Sequence, residues 1–493
     1  MKSQLETYFE PFRKNTIGND ACFDSPFGIK KVVYADWTAS GRMYAPIEEI
    51  LTNHIYPFVA NTHTETNFTG SSMTIAYKKA REIIKKHVNA DKTDILIAGN
   101  SGMTGVVNKL QRILGLRLHE KFHDKVTIPE VDRPIIFVTH MEHHSNQTTW
   151  LETIGEVEVI PPDAEGKVDL SSFEKLLEKY KHRKLKIAAI TSCSNVTGIQ
   201  TPYHQMAGIM HRAGGLCFVD FACSAPYINI NMHPEHEDEY LDAIYFSPHK
   251  FLGGPSSSGI VIFNQKLYNN KIPDNPGGGT VDWTNPWGEH KYHEEIEARE
   301  DGGTPAFLQT IRVALSILLK DKMGVENILN REHELLEIIW DCLDKMPDIK
   351  VLANHVKDRL GVISFYIEDL HFNLAVKMLN DHFGIQMRGG CSCAGTYGHY
   401  LLEVSYEKSK KLTDEISRGF FTNKPGWVRM SIHPTMTNAE VLYIMDSLDQ
   451  LCKNHKEWAK DYEYNIHTNE WSNKSKPNTE SKIVQQWFEQ PLL

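Results

Sequence analysis

Ser247-Pro248-His249-Lys250-Phe251-Leu252-Gly253-Gly254-Pro255 is the stretch on which the reading of this chain turns. It separates two apolar, strand-like runs, Ala243 to Phe246 and Gly259-Ile260-Val261-Ile262-Phe263. A lysine between buried strands needs a reason, because a desolvated ammonium is costly unless it is paired or covalently bound. One resolution is a Schiff base to an aldehyde cofactor; the other is a surface lysine in a glycine-rich turn. Upstream, Leu216-Cys217-Phe218-Val219-Asp220 ends a further apolar run in a carboxylate. Pyridoxal phosphate (PLP) needs both a lysine for its aldehyde and an acid that keeps its ring nitrogen protonated. The pair points to that cofactor.

Outward from this stretch, strand-like and helix-like runs alternate from about residue 32 to 264. The strand candidates are Val32-Asp36, Ile95-Gly99, Ile135-His140, Val157-Pro161, Ile187-Ser192, Leu216-Phe221, Ala243-Ser247 and Gly259-Phe263. Most are continuous apolar runs, the pattern of strands covered on both faces. Between them, Val106, Val107, Leu110, Ile113 and Leu114 share one helical face, as do Leu170, Phe173, Leu176, Leu177 and Tyr180. Another helix opens at Pro202 and stops at Gly214-Gly215, with proline early and glycine late. The alternation predicts an α/β fold, a mainly parallel sheet with helices on both sides.

Residues 265–304 are rich in Pro, Gly and Trp and read as a long ordered loop. A helix from about Phe307 to Lys320 and a charged one from Val325 follow, and from about Val351 the pattern turns α+β. The organisation expected is an N-terminal segment, 1–31, packing with the small domain; a large domain, 32–320; a small C-terminal α+β domain, 321–452; and a polar tail, 453–493, loosely held or lying along the surface.

Bulk properties narrow the function class. At 493 residues, with 41% hydrophobic and 24% charged, the chain is in the ordinary globular range. A formal charge of -10 and a pI near 6.2 argue against nucleic acid as a partner. The 24 histidines include His140, His143 and His144 in one segment and His233 and His236 in a polar loop, but no His-Glu-x-x-His pattern. No dedicated metal site is expected. The start, Met1-Lys2-Ser3-Gln4-Leu5-Glu6, lacks a signal-peptide core, and no run is long enough to span a bilayer. Eight scattered cysteines suit a reducing compartment, so a soluble, cytoplasmic protein is expected.

Three further segments fit the cofactor reading. Asn100-Ser101-Gly102-Met103-Thr104 leads from one strand into a helix N-terminus, where backbone N–H groups and the dipole suit a phosphate. His143 follows a strand, where its ring can stack on a pyridine or serve as an ordinary polar loop residue. Asn195 follows Ser192-Cys193-Ser194, where it can donate to the ring oxygen or merely turn the chain with Gly198. All lie at strand ends followed by helices, where open α/β sheets place ligands.

On these residues the chain resembles the fold-type I PLP enzymes of the class V aminotransferase group, closest to the group II cysteine desulfurases and selenocysteine lyases. The resemblance is carried by Tyr34-Ala35-Asp36-Trp37-Thr38-Ala39-Ser40, Asn61-Thr62-His63, Gly102 to Asn108, Glu142-His143-His144-Ser145-Asn146, Ser194 to Gly198, Val219-Asp220, Ser247 to Lys250 and Asp301-Gly302-Gly303-Thr304-Pro305. It covers about residues 32–447. It implies a seven-stranded sheet in the large domain, Lys250 as Schiff-base lysine and catalytic base, Asp220 on the pyridinium nitrogen and His143 on the ring. It further implies Asn195 near the cofactor oxygen or substrate carboxylate, and Gly102, Met103, Thr104, Ser247 and His249 on the phosphate. Thr304 would reach the phosphate of the neighbouring subunit in a homodimer. Arg429 would clamp a small amino acid by its carboxylate, with Arg388 nearby, and Cys393 would take sulfur as a persulfide and pass it to a sulfur-acceptor protein.

The sequence also departs from the family. Cys223 stands where a glutamine usually meets the cofactor oxygen, Cys391 has no counterpart, and a histidine common near the loop cysteine is absent. Extra residues lie at 116–133, at 406–424 and in the tail. The implied reaction is cleavage of the Cβ–S or Cβ–Se bond of cysteine or selenocysteine. The alternatives are a class V aminotransferase, epimerase or other lyase without persulfide chemistry, or a non-catalytic binding member of the fold.

Overall fold

The computed structural model describes residues 2–62, 65–99, 101–476 and 480–491; His63 and Asn100, two of the quoted motif residues, lie outside the described residues. Contacts divide the chain into two units. One holds Thr38–Leu329 with Asp358–Leu360, and the other holds Met1–Trp37, Asn330–Lys357 and Gly361–Leu493.

In the first unit the apolar runs form β1 (Asp94–Gly99), β2 (Ile135–Thr139), β3 (Glu156–Ile160), β4 (Lys186–Thr191), β5 (Leu216–Asp220), β6 (Ala243–Phe246) and β7 (Gly259–Asn264). They make one seven-stranded sheet in the order β1-β7-β6-β5-β4-β2-β3. The pairs from β3 to β6 are parallel, whereas β7 runs antiparallel to both β6 and β1. Every residue of β2, β4 and β6 is buried, which is why those runs carry no polar alternation. The edge strand β3 buries only Ile160.

Helices α1 (Gly102–Ile113), α2 (His144–Leu151), α3 (Leu170–Lys179), α4 (Tyr203–Arg212) and α5 (Phe307–Met323) belong to the same unit. The face of α1 read from the sequence is the buried one: Val106, Val107 and Leu110 pack with Val138, Phe218 and Tyr245 of the sheet. Asp169 starts α3 by accepting from the backbone of Ser171 and Ser172.

Two readings are revised. The run 32–36 yields only the short strand Val33–Tyr34, which pairs parallel to Ile385–Gln386 and is no part of the large sheet. Its hydrophobicity serves a two-residue pairing too short for period to reveal. The stretch 265–304, read as loop, contains a hairpin (Val281–Thr284 with His290–Tyr292) and a short helix (Ile296–Glu300). Its strands are mostly exposed and broken by a register shift, so they lack an apolar pattern.

The second unit is built on a four-stranded antiparallel sheet of β8 (Ile349–Val351), β9 (Val362–Ile367), β10 (Arg388–Gly390) and β11 (Trp427–Ser431), in the order β8-β9-β11-β10. It also holds α6 (Phe372–Phe383) and α7 (Asn438–Trp458), which opens with a Thr437–Glu440 capping box. The N-terminal helix Gln4–Lys14 buries Phe9 and Phe12 here, with Arg13 paired to Glu440 at 2.5 Å. Within the polar tail, the hairpin Tyr462–Asn465 and Glu470–Asn473 is tied to α6: Asn373 donates to the Asn469 carbonyl at 2.7 Å. No helix among the described residues is long and apolar enough to cross a membrane.

Candidate active site

Because β1, β2, β4, β5 and β6 point the same way, their C-terminal ends bring five loops to one edge of the sheet. Lys250 closes a single 3₁₀ turn, Pro248–Lys250, directly after β6. Close backbone packing fixes that turn. The Gly41 amide donates to the His249 carbonyl at 2.9 Å, and a Cβ on Gly41 would lie 2.0 Å from the Phe251 oxygen. A Cβ on Gly254 would meet the Pro248 oxygen at 1.9 Å, so neither position tolerates a side chain. Burial, with the charge of Lys250, lowers His249 to about 4 and keeps its ring neutral at pH 7.

Asp220 ends β5, 3% exposed, and accepts from the Ala222 amide at 2.7 Å. Burial raises its carboxyl to about 6, against the opposing pull of Ala222 and Lys250. After β1, Gly102 has a left-handed φ of +60° and opens α1. The Met103 amide donates to Ser247 Oγ at 3.0 Å, and Thr104 Oγ1 lies 2.7 Å from Ser145 Oγ. The Gly102 backbone is so close to β7 that a Cβ on Gly259 would sit 2.1 Å from it. Thus Gly102, Met103, Thr104 and Ser247 gather at one helix N-terminus.

His143 caps α2, its Nδ1 accepting from the Ser145 amide at 3.1 Å, so its proton is on Nε2. Beneath it, wholly buried Glu142 accepts from Thr139 Oγ1 (2.7 Å), the Thr191 amide (2.8 Å) and Asn146 Nδ2 (2.7 Å). Burial raises it to about 8. Asn195, also buried, sits in a loop tightened by Ser194 and Gly198. Gly198 has a φ of +72°, and the Leu360 amide donates to its carbonyl at 2.9 Å. Buried Cys223 reaches the Ser194 carbonyl with its Sγ at 3.7 Å.

In the second unit, Arg429 of β11 is 3% exposed and pairs through Nη2 with Asp36 Oδ1 at 2.8 Å. Arg388 of β10 reaches the other oxygen of Asp36 through Nε at 3.2 Å. Cys391–Ala394 form a turn closed by the Ala394 amide on the Cys391 carbonyl at 3.0 Å. Ser392 and Cys393 both have left-handed φ values, +50° and +55°, a conformation costly for non-glycine residues. Trp427 Nε1 holds Ser392 from inside at 3.2 Å, and Cys393 is left exposed.

The sequence profile described as Aminotransferase class-V matches residues 33–444. The chain belongs to this family. A probable cysteine desulfurase of Halalkalibacterium halodurans is 29% identical over 368 residues, covering 74% of this chain and 84% of that protein. One from Staphylococcus aureus is 27% identical over 375 residues, covering 75% and 85%. Among solved structures, an apo cysteine desulfurase from Thermococcus onnurineus aligns with a TM-score of 0.71 at 24% identity, covering 90% of this chain and 98% of that one. An Escherichia coli cysteine desulfurase aligns at 0.68 and 20%, with the same coverage. These alignments give the class-V fold, a seven-stranded α/β sheet flanked by helices.

The residues at the sheet edge fit PLP. A buried carboxyl raised by desolvation is an acid awaiting a cationic partner, which a pyridinium nitrogen supplies. A helix N-terminus with Met103, Thr104 and Ser247 suits a phosphate. Lys250, His143, Asn195, Asp220, Cys223, Ser247 and His249 all belong to loops at this edge. Arg388, Arg429, Cys391 and Cys393 belong to the other unit, as does Asp36. Thr304 is exposed in the loop before α5, and the neighbouring Gly303 amide donates to the Gly278 carbonyl at 2.8 Å. No metal was expected; among the described residues Asp91, Asp94 and His233 have ligand-like spacing, at the opposite sheet edge. His233 Nε2 lies 2.6 Å from Asp94 Oδ2, within hydrogen-bonding distance.

Three residues with structural weight carry no role in the sequence reading. Asp36 and Glu142 are acids inside quoted motifs, and acids within apolar strand ends are the signal that singles them out. Lys320 of α5 is buried, donates to the carbonyls of Ala225 (2.7 Å) and Ile228 (2.5 Å), and is lowered by burial to about 7. It thereby fixes the segment after Cys223. Only its place on the buried face of α5 marked it, and helix-end lysines are common.

The raised Asp220 makes a pH prediction. A carboxyl whose folded value exceeds its ordinary 3.8 destabilises the fold when ionised, so the penalty grows as pH rises from about 4 through 6. Asp220→Asn should therefore stabilise cofactor-free protein by up to about 3 kcal/mol at pH 8 and by about half as much at pH 5. Denaturant melts at the two pH values check this; equal gains at both would contradict it.

Proposed function

We propose that the chain is a PLP-dependent cysteine desulfurase-like enzyme that cleaves the Cβ–S bond of a small amino acid. The observation that carries it is the sheet edge joining Lys250, buried Asp220 and the Gly102–Thr104 helix start, within a class-V chain whose curated relatives are probable cysteine desulfurases. Bound PLP would supply an aldehyde for the substrate's amino group and a ring that accepts electrons from Cα.

The chain's own residues do the rest. Lys250 takes the proton from the substrate Cα and returns it there, while the proton given up by the Cys393 thiol ends on Cβ, so both carbons of the alanine carry their hydrogens. Asp220 holds the ring nitrogen by charge, His143 covers the ring with its Nε2–H, and Asn195 and Cys223 border the ring oxygen. Ser247, His249 and the amides of Gly102 to Thr104 hold the phosphate, neutral His249 as a hydrogen-bonding rather than a charged partner. Arg429 fixes the substrate carboxylate. The Cys393 thiolate attacks the γ-sulfur; the Cβ–S bond breaks, alanine leaves and Cys393 carries the persulfide. A sulfur-acceptor protein then takes that sulfur. Incubation with cysteine under reducing conditions tests the reading: equal amounts of alanine and sulfide are expected, and no alanine would end it.

The carboxylate role of Arg429 has its own check. Arg429→Ala should raise KM for cysteine by the equivalent of about 2–5 kcal/mol while the cofactor spectrum stays unchanged. An unchanged KM would put the carboxylate elsewhere.

We further propose a homodimer in the cytoplasm. Exposed Thr304 and the Gly277–Gly279 loop tied to it by backbone would complete the neighbour's phosphate site. Closed two-fold dimers are the commonest soluble oligomers. All eight cysteines are thiols, in keeping with a reducing compartment. Sedimentation should give twice the chain mass at working concentration; a fully active monomer would refute the shared site.

A further inference from the structure

We infer that Lys320 is a positioning residue of the cofactor site: together with His87 it holds, from behind, the turns that carry Cys223 and Lys250, and so keeps Asp220 and Lys250 in place for the ring. The inference rests on the cofactor reading of that sheet edge. All of its residues belong to the first unit.

The chain leaves β5 through a tight coil. The Ala225 amide donates to the Phe221 carbonyl at 2.8 Å, and the amides of Tyr227 and Ile228 both donate to the Ser224 carbonyl, at 2.8 and 3.1 Å. Ser224 is tied to Ser192, Oγ to Oγ, at 2.6 Å. The coil carries the Ala222 amide that bonds Asp220, and Cys223, whose Sγ faces the Ser194 carbonyl. Its last carbonyls, on Ala225 and Ile228, accept from Lys320 Nζ at 2.7 and 2.5 Å.

An ammonium has three N–H groups. The fold gives this one three acceptors, the two carbonyls and His87 Nε2 at 3.3 Å. His87 can accept there because its Nδ1 faces Asp321 Oδ1 at 3.3 Å and so carries the proton, while burial holds the ring below its ordinary pKa and neutral. A fully donating ammonium is the form in which a buried lysine is tolerated. The same Nζ lies over the ring of Phe251, 5.7 Å from its centroid. Phe251 is buried and directly follows Lys250. One side chain thus reaches both the turn after β5 and the turn after β6.

Packing alone does not call for a lysine here. Val313, Ala314 and Ile317 already fill the buried face of α5 with apolar groups. A lysine among them costs desolvation and rotamer freedom. What it gains is polar anchorage of two turns that hold cofactor residues. Without it the carbonyls of Ala225 and Ile228 lose their buried donor, the coil loosens, and the Ala222 amide no longer holds Asp220.

The test is Lys320→Met, close in length but without donors, beside Ile317→Ala, which removes buried volume one turn back on the same helix. Three quantities are read: the dissociation constant of PLP, the pH midpoint of the visible cofactor band and, in cofactor-free protein, the rate at which iodoacetamide alkylates Cys223. Lys320→Met should weaken PLP roughly tenfold or more, move the midpoint by about half a pH unit or more and speed alkylation roughly tenfold. Ile317→Ala should stay within threefold of wild type in affinity and rate and leave the midpoint in place. Lys320→Met with affinity within threefold of wild type and an unmoved midpoint overturns the inference. Equal changes in Ile317→Ala overturn it too, since general loosening would then suffice. Should Lys320→Met not fold, His87→Ala, which leaves the ammonium one acceptor short, carries the test, and unchanged affinity, midpoint and alkylation there overturn the inference. A wild type that takes up no PLP ends the cofactor reading and the inference with it, whereas failure of the inference alone leaves PLP uptake by wild type intact.

Discussion

Lys250→Ala is expected to give a folded, colourless protein whose alanine production from cysteine falls by roughly 10²–10⁴-fold or more, the range for losing a positioned proton-transfer group. The loss should sit at the top of that range, because Lys250 is asked both to hold the cofactor's aldehyde and to move the Cα proton. Its neighbours limit what can compensate. His249, lowered to about 4, is neutral and a weak base, and the turn is clamped by Gly41 and Gly254 against rearrangement. A Lys250→Ala protein that keeps its visible band and activity within tenfold of wild type would contradict the assignment. Far-ultraviolet circular dichroism separates loss of function from loss of fold.

Cys393→Ala carries the second large effect. Its activity on cysteine should drop about a hundredfold or more, while the cofactor band and its response to alanine persist. The exposed position of Cys393, on a turn strained at two consecutive residues and pinned by Trp427, motivates this. Wild type treated with cysteine should gain the mass of one sulfur atom on the peptide containing Cys393, and Cys393→Ala should not. Cys391→Ala is the comparison: if it loses the sulfur mass while Cys393→Ala keeps it, the carrier is Cys391. Full activity of Cys393→Ala would end the persulfide role and leave a class-V lyase or transferase of another kind.

The large sheet was legible because burial on both faces writes itself as unbroken apolar runs, as in β2 and β6, punctuated by glycine and polar residues at strand ends. Lys250, Asp220 and the Gly102 turn stood out for the same reason: polar residues at the ends of apolar strands. The hairpin at 281–292 did not, since exposed strands have no apolar face to display. Nor did the Val33–Tyr34 pairing, whose partner lies some 350 residues on. The Arg388–Asp36–Arg429 bridge was invisible for a related reason. Ion pairs leave no periodicity, and only the register of β10 on β11 reveals two arginines in need of a carboxylate.

The second unit is assembled from both ends of the chain, with Met1–Trp37 joining residues beyond 329. Synthesis from the N-terminus therefore makes half of a structure long before the other half exists. Roughly 290 residues separate the two, which at 5–20 residues per second is a delay of about 15–60 s. Throughout it the helix Gln4–Lys14 is a nascent amphipathic segment, with Phe9 and Phe12 uncovered and Arg13 without Glu440. The intervening unit is not self-sufficient either, since Asp358–Leu360 belongs to it and Leu360 supplies the amide that holds Gly198 beside Asn195. The first unit is complete only once residue 360 has been made, and the second only later, so the helix Gln4–Lys14 is made first and covered last.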